Sequence, residues 1–136
     1  VETEVEVKLG RPLRARFGYT ALHTRGIEVD LDGRLRDRPL EGRPTHQVHG
    51  EVIGALESAG LEGALRGVFV GERPSYADDP VETILAPYVD LSARLAWTPF
   101  PFTTLFARAE NLLDAGDALY VPIRPRRFST GLMGRM

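Results

Sequence analysis

Apolar and polar residues alternate with a period of two along most of this chain, and this pattern constrains its fold more than any other feature. Near the N-terminus, for example, Val5 and Val7 alternate with Glu4 and Glu6. Such alternation is typical of strands with one face toward apolar surroundings and the other toward water or polar groups. The sequence therefore predicts an all-β protein, with strands over residues 1–9, 13–21, 45–57, 61–71, 89–97, 103–110 and 128–136.

The connections between these predicted strands are alternately short and long. Short turns are predicted at residues 10–12, 58–60 and 98–102, and long loops at residues 24–44, 72–87 and 111–126. In a transmembrane β-barrel the periplasmic turns are short, the outer loops are long, and a tilted strand of about nine to eleven residues crosses the hydrocarbon. The pattern therefore favours an antiparallel up-and-down meander of about seven long strands that belongs to such a barrel.

Composition limits the alternatives without deciding between them. The chain has 136 residues, is 43% hydrophobic, carries a net charge of −2 and contains no cysteine. These values give no electrostatic case for binding nucleic acid and no disulfide framework. No apolar run is long enough to predict a membrane-spanning helix, but a β-barrel escapes this test because only every second residue of a strand faces lipid.

Alternation alone leaves open which face is the inner one. In a soluble β-sandwich the apolar residues would fill a core, whereas in a membrane barrel they would face lipid. Trp97, Phe100 and Phe102 cluster at a predicted turn, where an interfacial aromatic girdle would lie. Glycines such as Gly50 and Gly54 thin the apolar rows and would pack a soluble core badly. Both observations favour the membrane barrel.

The sequence contains no recognised motif for catalysis or metal binding. His46 and His49 are three residues apart, so on a strand they point to opposite faces and cannot share a metal ion. Residues 30–33, Asp-Leu-Asp-Gly, are interpreted as a turn because the later ligands of a calcium loop are missing. We therefore expect no enzymatic activity, no catalytic residue, no cofactor and no bound metal.

Charged residues of both signs recur on the polar side of the predicted strands. They are expected to line the lumen of a barrel. For six of them, stabilisation of the sheet through cross-strand ion pairs is an alternative or additional role, namely Glu62, Arg66, Asp90, Arg94, Arg108 and Glu110. The set comprises Arg14, Arg16, Glu51, Glu62, Arg66, Asp90, Arg94, Arg108 and Glu110.

The C-terminal segment resembles the end of TonB-dependent outer-membrane receptors. Residues 106–114, Phe-Ala-Arg-Ala-Glu-Asn-Leu-Leu-Asp, precede a loop, and residues 126–132 match that family's closing Arg-x-Phe-x-x-Gly-Leu strand. Weaker similarities are Arg38–Pro44 to a Pro-Leu-x-Gly-x-Pro segment, Val70–Arg73 to Val-Gly-x-Arg, and Tyr88–Arg94 to Tyr-x-x-Leu-Asp-x-Arg, with Ser92 in place of the Asp. Phe128 and the last residue are the expected assembly signal, although Met136 stands where the family normally has an aromatic residue.

The resemblance implies an energy-coupled receptor that imports a scarce, bulky nutrient, such as an iron–siderophore chelate or cobalamin, across a bacterial outer membrane. Residues 1–136 would be the C-terminal part of a barrel of about 22 strands with a plugged lumen. The plug domain and the segment that contacts the TonB complex would lie upstream. Other implied partners are outer-membrane lipid, the barrel-assembly machinery and a small chelate ligand.

Such a piece of a barrel would form an open sheet with few core contacts. Two alternatives remain, namely an outer-membrane channel or adhesin without energy coupling, and a soluble β-sandwich that acts as a binding module.

The long loops are the expected ligand-binding region, because binding groups usually lie on loops that a rigid scaffold positions. We expect their charged and aromatic side chains to be exposed. The candidates are Arg34, Arg36, Arg38, Tyr76, Asp78, Asp79, Tyr120 and Arg124.

Overall fold

The computed structural model describes residues 1–29, 32–76, 83–116 and 124–134, with the side chains of Glu28 and Arg36 excepted. In chain order its strands are β1 (Glu2–Lys8), β2 (Leu13–Ala21), β3 (Gly26–Val29), β4 (Leu35–Arg38), β5 (His46–Leu56), β6 (Leu61–Val70), β7 (Arg73–Ser75), β8 (Thr83–Leu85), β9 (Tyr88–Phe100), β10 (Thr103–Glu110) and β11 (Arg127–Gly134). One 3₁₀ turn, Glu57–Ala59, connects β5 to β6. None of the described segments is a helix long and apolar enough to span a membrane.

Seven of these strands form one antiparallel sheet in the order β1-β2-β5-β6-β9-β10-β11. The order follows the chain, so the sheet is an up-and-down meander, and the predicted all-β meander of seven long strands is confirmed. Within the described residues β1 and β11 each pair with a single neighbour, so the sheet is open.

The loops contain structure that the sequence analysis did not anticipate. β3 and β4 pair as a hairpin around Asp32-Gly33, where Gly33 has a φ of 76°. β7 and β8 pair as a second small hairpin. These strands have only three or four residues, too few for alternation to be recognised, so the two connections are long as predicted but each also contains a small hairpin.

β9 is longer than predicted and continues to Phe100. The Thr98 amide donates a hydrogen bond to the Gly60 carbonyl at 2.8 Å, and the Thr98 and Thr104 hydroxyl oxygens are 3.0 Å apart. These bonds hold the strand in the sheet beyond Trp97, so only residues 101–102 form the turn to β10.

The pairing register separates the side chains of the sheet into two chemically different faces. Within the seven described strands every Asp, Glu, Lys and Arg lies on one face, which we call the polar face, and the opposite face carries mainly Val, Leu, Phe, Ala and Gly. One polar row across five strands consists of Glu6, Arg16, Glu51, Arg66 and Ser92. The next row, on the apolar face, consists of Val5, Phe17, Gly50, Gly67 and Leu91.

No layer formed by the described residues covers either face of the sheet, and the sheet has almost no core. Ala15 and Ala96 are buried, but none of the large side chains in the described part of the chain is fully buried. On the apolar face Phe17 is 50% exposed and Leu95 is 53% exposed. A monomeric protein in water rarely exposes an apolar surface of this extent, so the sheet requires a covering that the described residues do not supply.

Candidate functional site

The predicted lumen residues all lie on the polar face, because the register places each of them there. Arg16 contacts two carboxylates of β1, with Nε 3.2 Å from Glu4 Oε1 and Nη2 3.2 Å from Glu6 Oε2. Arg16 thus forms cross-strand ion pairs, whereas within the described residues no ion pair joins two strands among the six residues for which such pairs are expected. Because the side chains around Arg16 are largely exposed, each pair contributes little free energy, on the order of 0–1 kcal/mol.

Charges on β9 and β10 are less evenly matched. Arg94 lies directly opposite Arg108, and Arg108 Nη2 is 2.7 Å from Glu110 Oε1 on its own strand. No ion pair of Arg94 is present among the described residues. Arg94 is therefore a cation on the polar face that no described carboxylate of the sheet neutralises.

A cleft of about 300 Å³ opens on the polar face near the ends of β6, β9 and β10. Its charged lining consists of Arg66, Asp90, Arg108, Glu110 and Arg124. The Oδ1 atom of Asp90 is shielded from water and accepts no hydrogen bond within the described part of the chain. Such a cleft suits a polar segment that carries both donors and acceptors.

Asn111 builds the rim of this cleft. It is 3% exposed and has a φ of 46°, in the left-handed region that Asn tolerates better than most residues. Its Oδ1 accepts the Ala115 amide at 2.8 Å, and its Nδ2 donates to the carbonyls of Ala115 and Arg124 at 2.8 and 3.0 Å. Asn111 thereby joins the two ends of the loop and positions Arg124.

A second structured region, the loop cluster, consists of residues 38–43 and 71–76. The Glu41 carboxylate accepts hydrogen bonds from the Tyr76 amide at 2.9 Å and the Ser75 hydroxyl at 3.2 Å. The Tyr76 hydroxyl donates to the Pro39 carbonyl at 3.0 Å, and the Gly42 amide donates to the Pro74 carbonyl at 2.9 Å. These bonds connect the first long loop (residues 24–44) to the second (residues 72–87).

Tyr76, one of the predicted ligand-binding residues, is buried and not exposed as expected. Its side chain is 7% exposed, and the guanidinium carbon of Arg38 lies 3.7 Å from the centroid of its ring. The expectation of exposure fails because the first long loop folds over this ring. Arg38 and Tyr76 thus join the two loops.

Arg73 is the least expected member of the loop cluster. Its side chain is only 7% exposed, although it carries a permanent charge. Its guanidinium lies 5.0 Å from the ring centroid of Tyr88, and Nη2 is shielded from water without a hydrogen-bond partner among the described residues. Arg73 also lines a cavity of about 200 Å³ to which both long loops contribute.

The other predicted ligand residues whose side chains the structure describes, Arg34 and Arg124, do not line the cavity of the loop cluster. Arg34 is exposed in the turn between β3 and β4, and Arg36 lies in β4. Arg124 is exposed at the polar-face cleft. Asp78, Asp79 and Tyr120 lie outside the described residues.

Of the two predicted assembly residues, only Phe128 is described. It lies on the apolar face opposite Ala109 and is 69% exposed. Met136 lies outside the described residues.

The histidines are arranged as predicted, because His46 pairs with Ala21 on the apolar face and His49 pairs with Gly18 on the polar face. His46 Nδ1 is 2.7 Å from the Tyr19 hydroxyl oxygen. Among the described residues no group of three or more His, Cys, Asp or Glu side chains could hold a metal ion.

The sequence did not indicate that Glu41 and Asn111 hold loops through hydrogen bonds or that Arg73 is buried. Glu41 and Arg73 lie within two of the segments that resemble receptor motifs, and the contact between those segments became visible only in the fold. Comparison of the chain with protein-family models and with curated proteins found no match.

Proposed function

We propose that this chain is part of an energy-coupled outer-membrane receptor and supplies seven strands of its transmembrane β-barrel. The observation that carries the proposal is the division of the sheet into an apolar face without Asp, Glu, Lys or Arg in the described strands and a polar face that holds all of them. The apolar face would contact lipid, and the polar face would line the lumen.

The energetics of lipid exposure account for so strict a division. An Arg or Lys on the lipid face of a barrel costs about 2–4 kcal/mol at the bilayer midplane. In water, by contrast, an occasional charge on a half-exposed face costs little. A face this exposed and this free of charge is therefore expected when lipid is the solvent.

Strand and connection lengths also support a membrane barrel. A tilted spanning strand needs about nine to eleven residues. β2, β6 and β5 have nine, ten and eleven residues and β9 has thirteen, whereas β1, β10 and β11 are shorter, with seven or eight. The short connections, at residues 9–12, 57–60 and 101–102, all lie at one end of the meander, and the long loops lie at the other. The end with the long loops would face outward.

The open edges of the sheet require further strands. Unpaired backbone groups cannot remain in hydrocarbon, so β1 and β11 would pair with other strands of the complete barrel of about 22 strands. A plug domain elsewhere in the polypeptide would contact the charges of the polar face. The proposed partners are this plug, the TonB complex, outer-membrane lipid and the barrel-assembly machinery.

The proposed cargo is a scarce, bulky nutrient such as an iron–siderophore chelate or a cobalamin-like compound. The long loops would capture it, since they contribute the loop cluster and the rim of the polar-face cleft. The proposal includes neither enzymatic activity nor a resident cofactor.

An uncoupled outer-membrane channel or adhesin would present the same two faces, so it remains the second candidate. The soluble sandwich does not describe this fold, because the seven long strands form one sheet instead of two packed sheets.

Transport measurements in cells separate the coupled receptor from the uncoupled barrel. We expect the native protein to fractionate with the outer membrane, and a labelled iron chelate to accumulate inside cells that express it. A protonophore should abolish accumulation while surface binding persists. Accumulation that continues without a proton-motive force would favour the uncoupled channel, and recovery of the protein in the soluble fraction would refute both.

A further inference from the structure

Within the part of the chain that the structure describes, the guanidinium of Arg73 lacks the partner that a buried cation requires. Its side chain is more than nine-tenths buried. Within the described residues it makes no ion pair, and Nη2 makes no hydrogen bond. Burial of an unpaired charge is costly, and the cation–π contact with Tyr88 at 5.0 Å offsets only part of that cost.

The surroundings of Arg73 are those of an anion site. The cavity of about 200 Å³ that Arg73 lines is also lined by Arg43 and His23, with Glu72 as its only acidic lining residue among those described. The other walls include apolar residues such as Pro39, Pro74 and Ile84. A guanidinium in such a setting binds carboxylate or phosphate strongly, since its planar donors match both groups.

The hydrogen bonds of the loop cluster hold this site together. Pro74 follows Arg73 directly, and its carbonyl accepts the Gly42 amide of the other loop. Within the described residues Glu41 forms no ion pair with Arg73, and its Oε1 accepts hydrogen bonds from Ser75 and Tyr76. The hydrogen bonds of neighbouring residues therefore fix the position of Arg73, while no carboxylate among the described residues neutralises its charge.

We propose that the cavity between the two long loops is a binding subsite for an anionic group, carboxylate or phosphate, with Arg73 as its principal cation. The inference deepens the proposed function, because it implies that the imported nutrient carries an anionic group. In this respect it rests on the proposed function. Anion binding by the loop cluster does not itself depend on the membrane assignment.

Titration with inorganic phosphate and with acetate tests the subsite. The native protein that carries this chain is purified in mild detergent, and amide hydrogen exchange of residues 38–43 and 71–76 is followed at constant ionic strength set by sodium chloride. We expect one or both anions to slow exchange in both segments saturably. Arg73→Gln should weaken the apparent affinity on the order of tenfold or more, because it removes a charge-assisted interaction.

Two further variants keep the test decisive. Arg73→Lys retains the charge without the planar donors and should bind more weakly than the native protein but more tightly than Arg73→Gln. Arg25→Gln removes an exposed arginine of the first long loop that pairs with Asp37, and should leave anion affinity unchanged. If Arg73→Gln fails to fold, the titration of the native protein and the anion affinity of Arg73→Lys still test the subsite.

Absence of saturable protection in the native protein, or equal affinity in the native and Arg73→Gln proteins, would overturn the subsite. Its failure is distinguishable from failure of the proposed function. Energy-dependent uptake without any anion effect would defeat only the subsite, whereas anion protection in a protein that does not reside in a membrane would defeat only the receptor.

Discussion

The sheet and the loop cluster solve the problem of burial in opposite ways. The sheet has seven strands, yet the buried hydrophobic residues that it contributes, among those described, are Ala15, Val70 and Ala96. The loop cluster is built from short irregular segments, yet it buries Arg73, Ser75 and Tyr76. In an ordinary soluble domain the regular elements form the core and the loops lie on the surface.

This inversion shows which region depends on its surroundings. The loop cluster satisfies most of its polar groups internally, through Glu41 and Tyr76 in particular. The sheet leaves its apolar face bare and relies on a covering from outside the described residues. The sheet should therefore respond to substitutions according to its solvent, and the loop cluster according to its own hydrogen bonds.

The largest expected effect comes from a charge on the apolar face of β9. Leu91→Arg should lower the free energy of unfolding in lipid vesicles by about 2–4 kcal/mol if residue 91 lies near the midplane. Ser92→Arg, one residue along, lies opposite Arg66, so like-charge repulsion should cost only about 0.2–1 kcal/mol. Denaturant titration of the complete protein in vesicles measures both. Equal costs, or the reverse order, would mean that the two faces are assigned wrongly.

The next effect concerns the rim of the polar-face cleft, which resembles the loop cluster in being held by hydrogen bonds. Asn111→Gly keeps a backbone that tolerates the φ of 46° but loses the three side-chain hydrogen bonds of Asn111. It should lower the free energy of unfolding by about 1–3 kcal/mol. Asp114→Asn in the same loop keeps its oxygen acceptor for the Arg126 amide and is the matched control, with a change within about 0.5 kcal/mol. An indistinguishable pair would show that Asn111 does not hold this loop.

A smaller and more local effect is expected in the loop cluster. Tyr76→Phe removes the hydrogen bond to the Pro39 carbonyl and should lower the local opening free energy by about 0.5–1.5 kcal/mol. Amide hydrogen exchange should accelerate in residues 38–43 and stay unchanged in the sheet. Tyr19→Phe removes a hydroxyl that contacts His46 on the apolar face and should leave exchange in the loop cluster unchanged. Accelerated exchange throughout the protein would contradict a separate loop unit.

The smallest effect belongs to the exposed ion pair of the β3–β4 hairpin. Arg25 Nη1 and Asp37 Oδ2 are 3.6 Å apart, and both side chains are more than half exposed. Arg25→Gln should change the unfolding free energy by less than about 0.5 kcal/mol. A loss above about 1 kcal/mol would show that charge pairs hold the long loops together to a degree that the hydrogen bonds of Glu41 and Tyr76 do not explain.

The sheet was predictable from the sequence because alternation is a local property of the chain. The predicted strands at residues 13–21 and 103–110 coincide with β2 and β10. Separation of the charges onto one face followed from the same pattern, because each side chain's face is fixed by its position along the strand.

The loop cluster was not predictable, because its contacts join residues far apart in the chain. Nothing local distinguishes the buried Arg73 from exposed arginines of the first long loop such as Arg25 and Arg34. No local pattern marks Tyr76 as buried. The hairpins β3–β4 and β7–β8 are too short to show a period. Asn111 gave a partial signal, since Asn commonly takes positive φ in turns, but the carbonyls to which it donates could not be inferred.

Positional labelling of β9 tests the central claim, that the apolar face of the sheet contacts lipid, most directly. The chain contains no cysteine, so single cysteines can be placed in turn at positions 89 to 95 and labelled with an environment-sensitive fluorophore in the vesicle-reconstituted protein. Fluorescence at the odd positions should be quenched by brominated lipid, and fluorescence at the even positions by aqueous iodide. Quenching that does not alternate along the strand, or lipid quenching at the even positions instead, would contradict the claim.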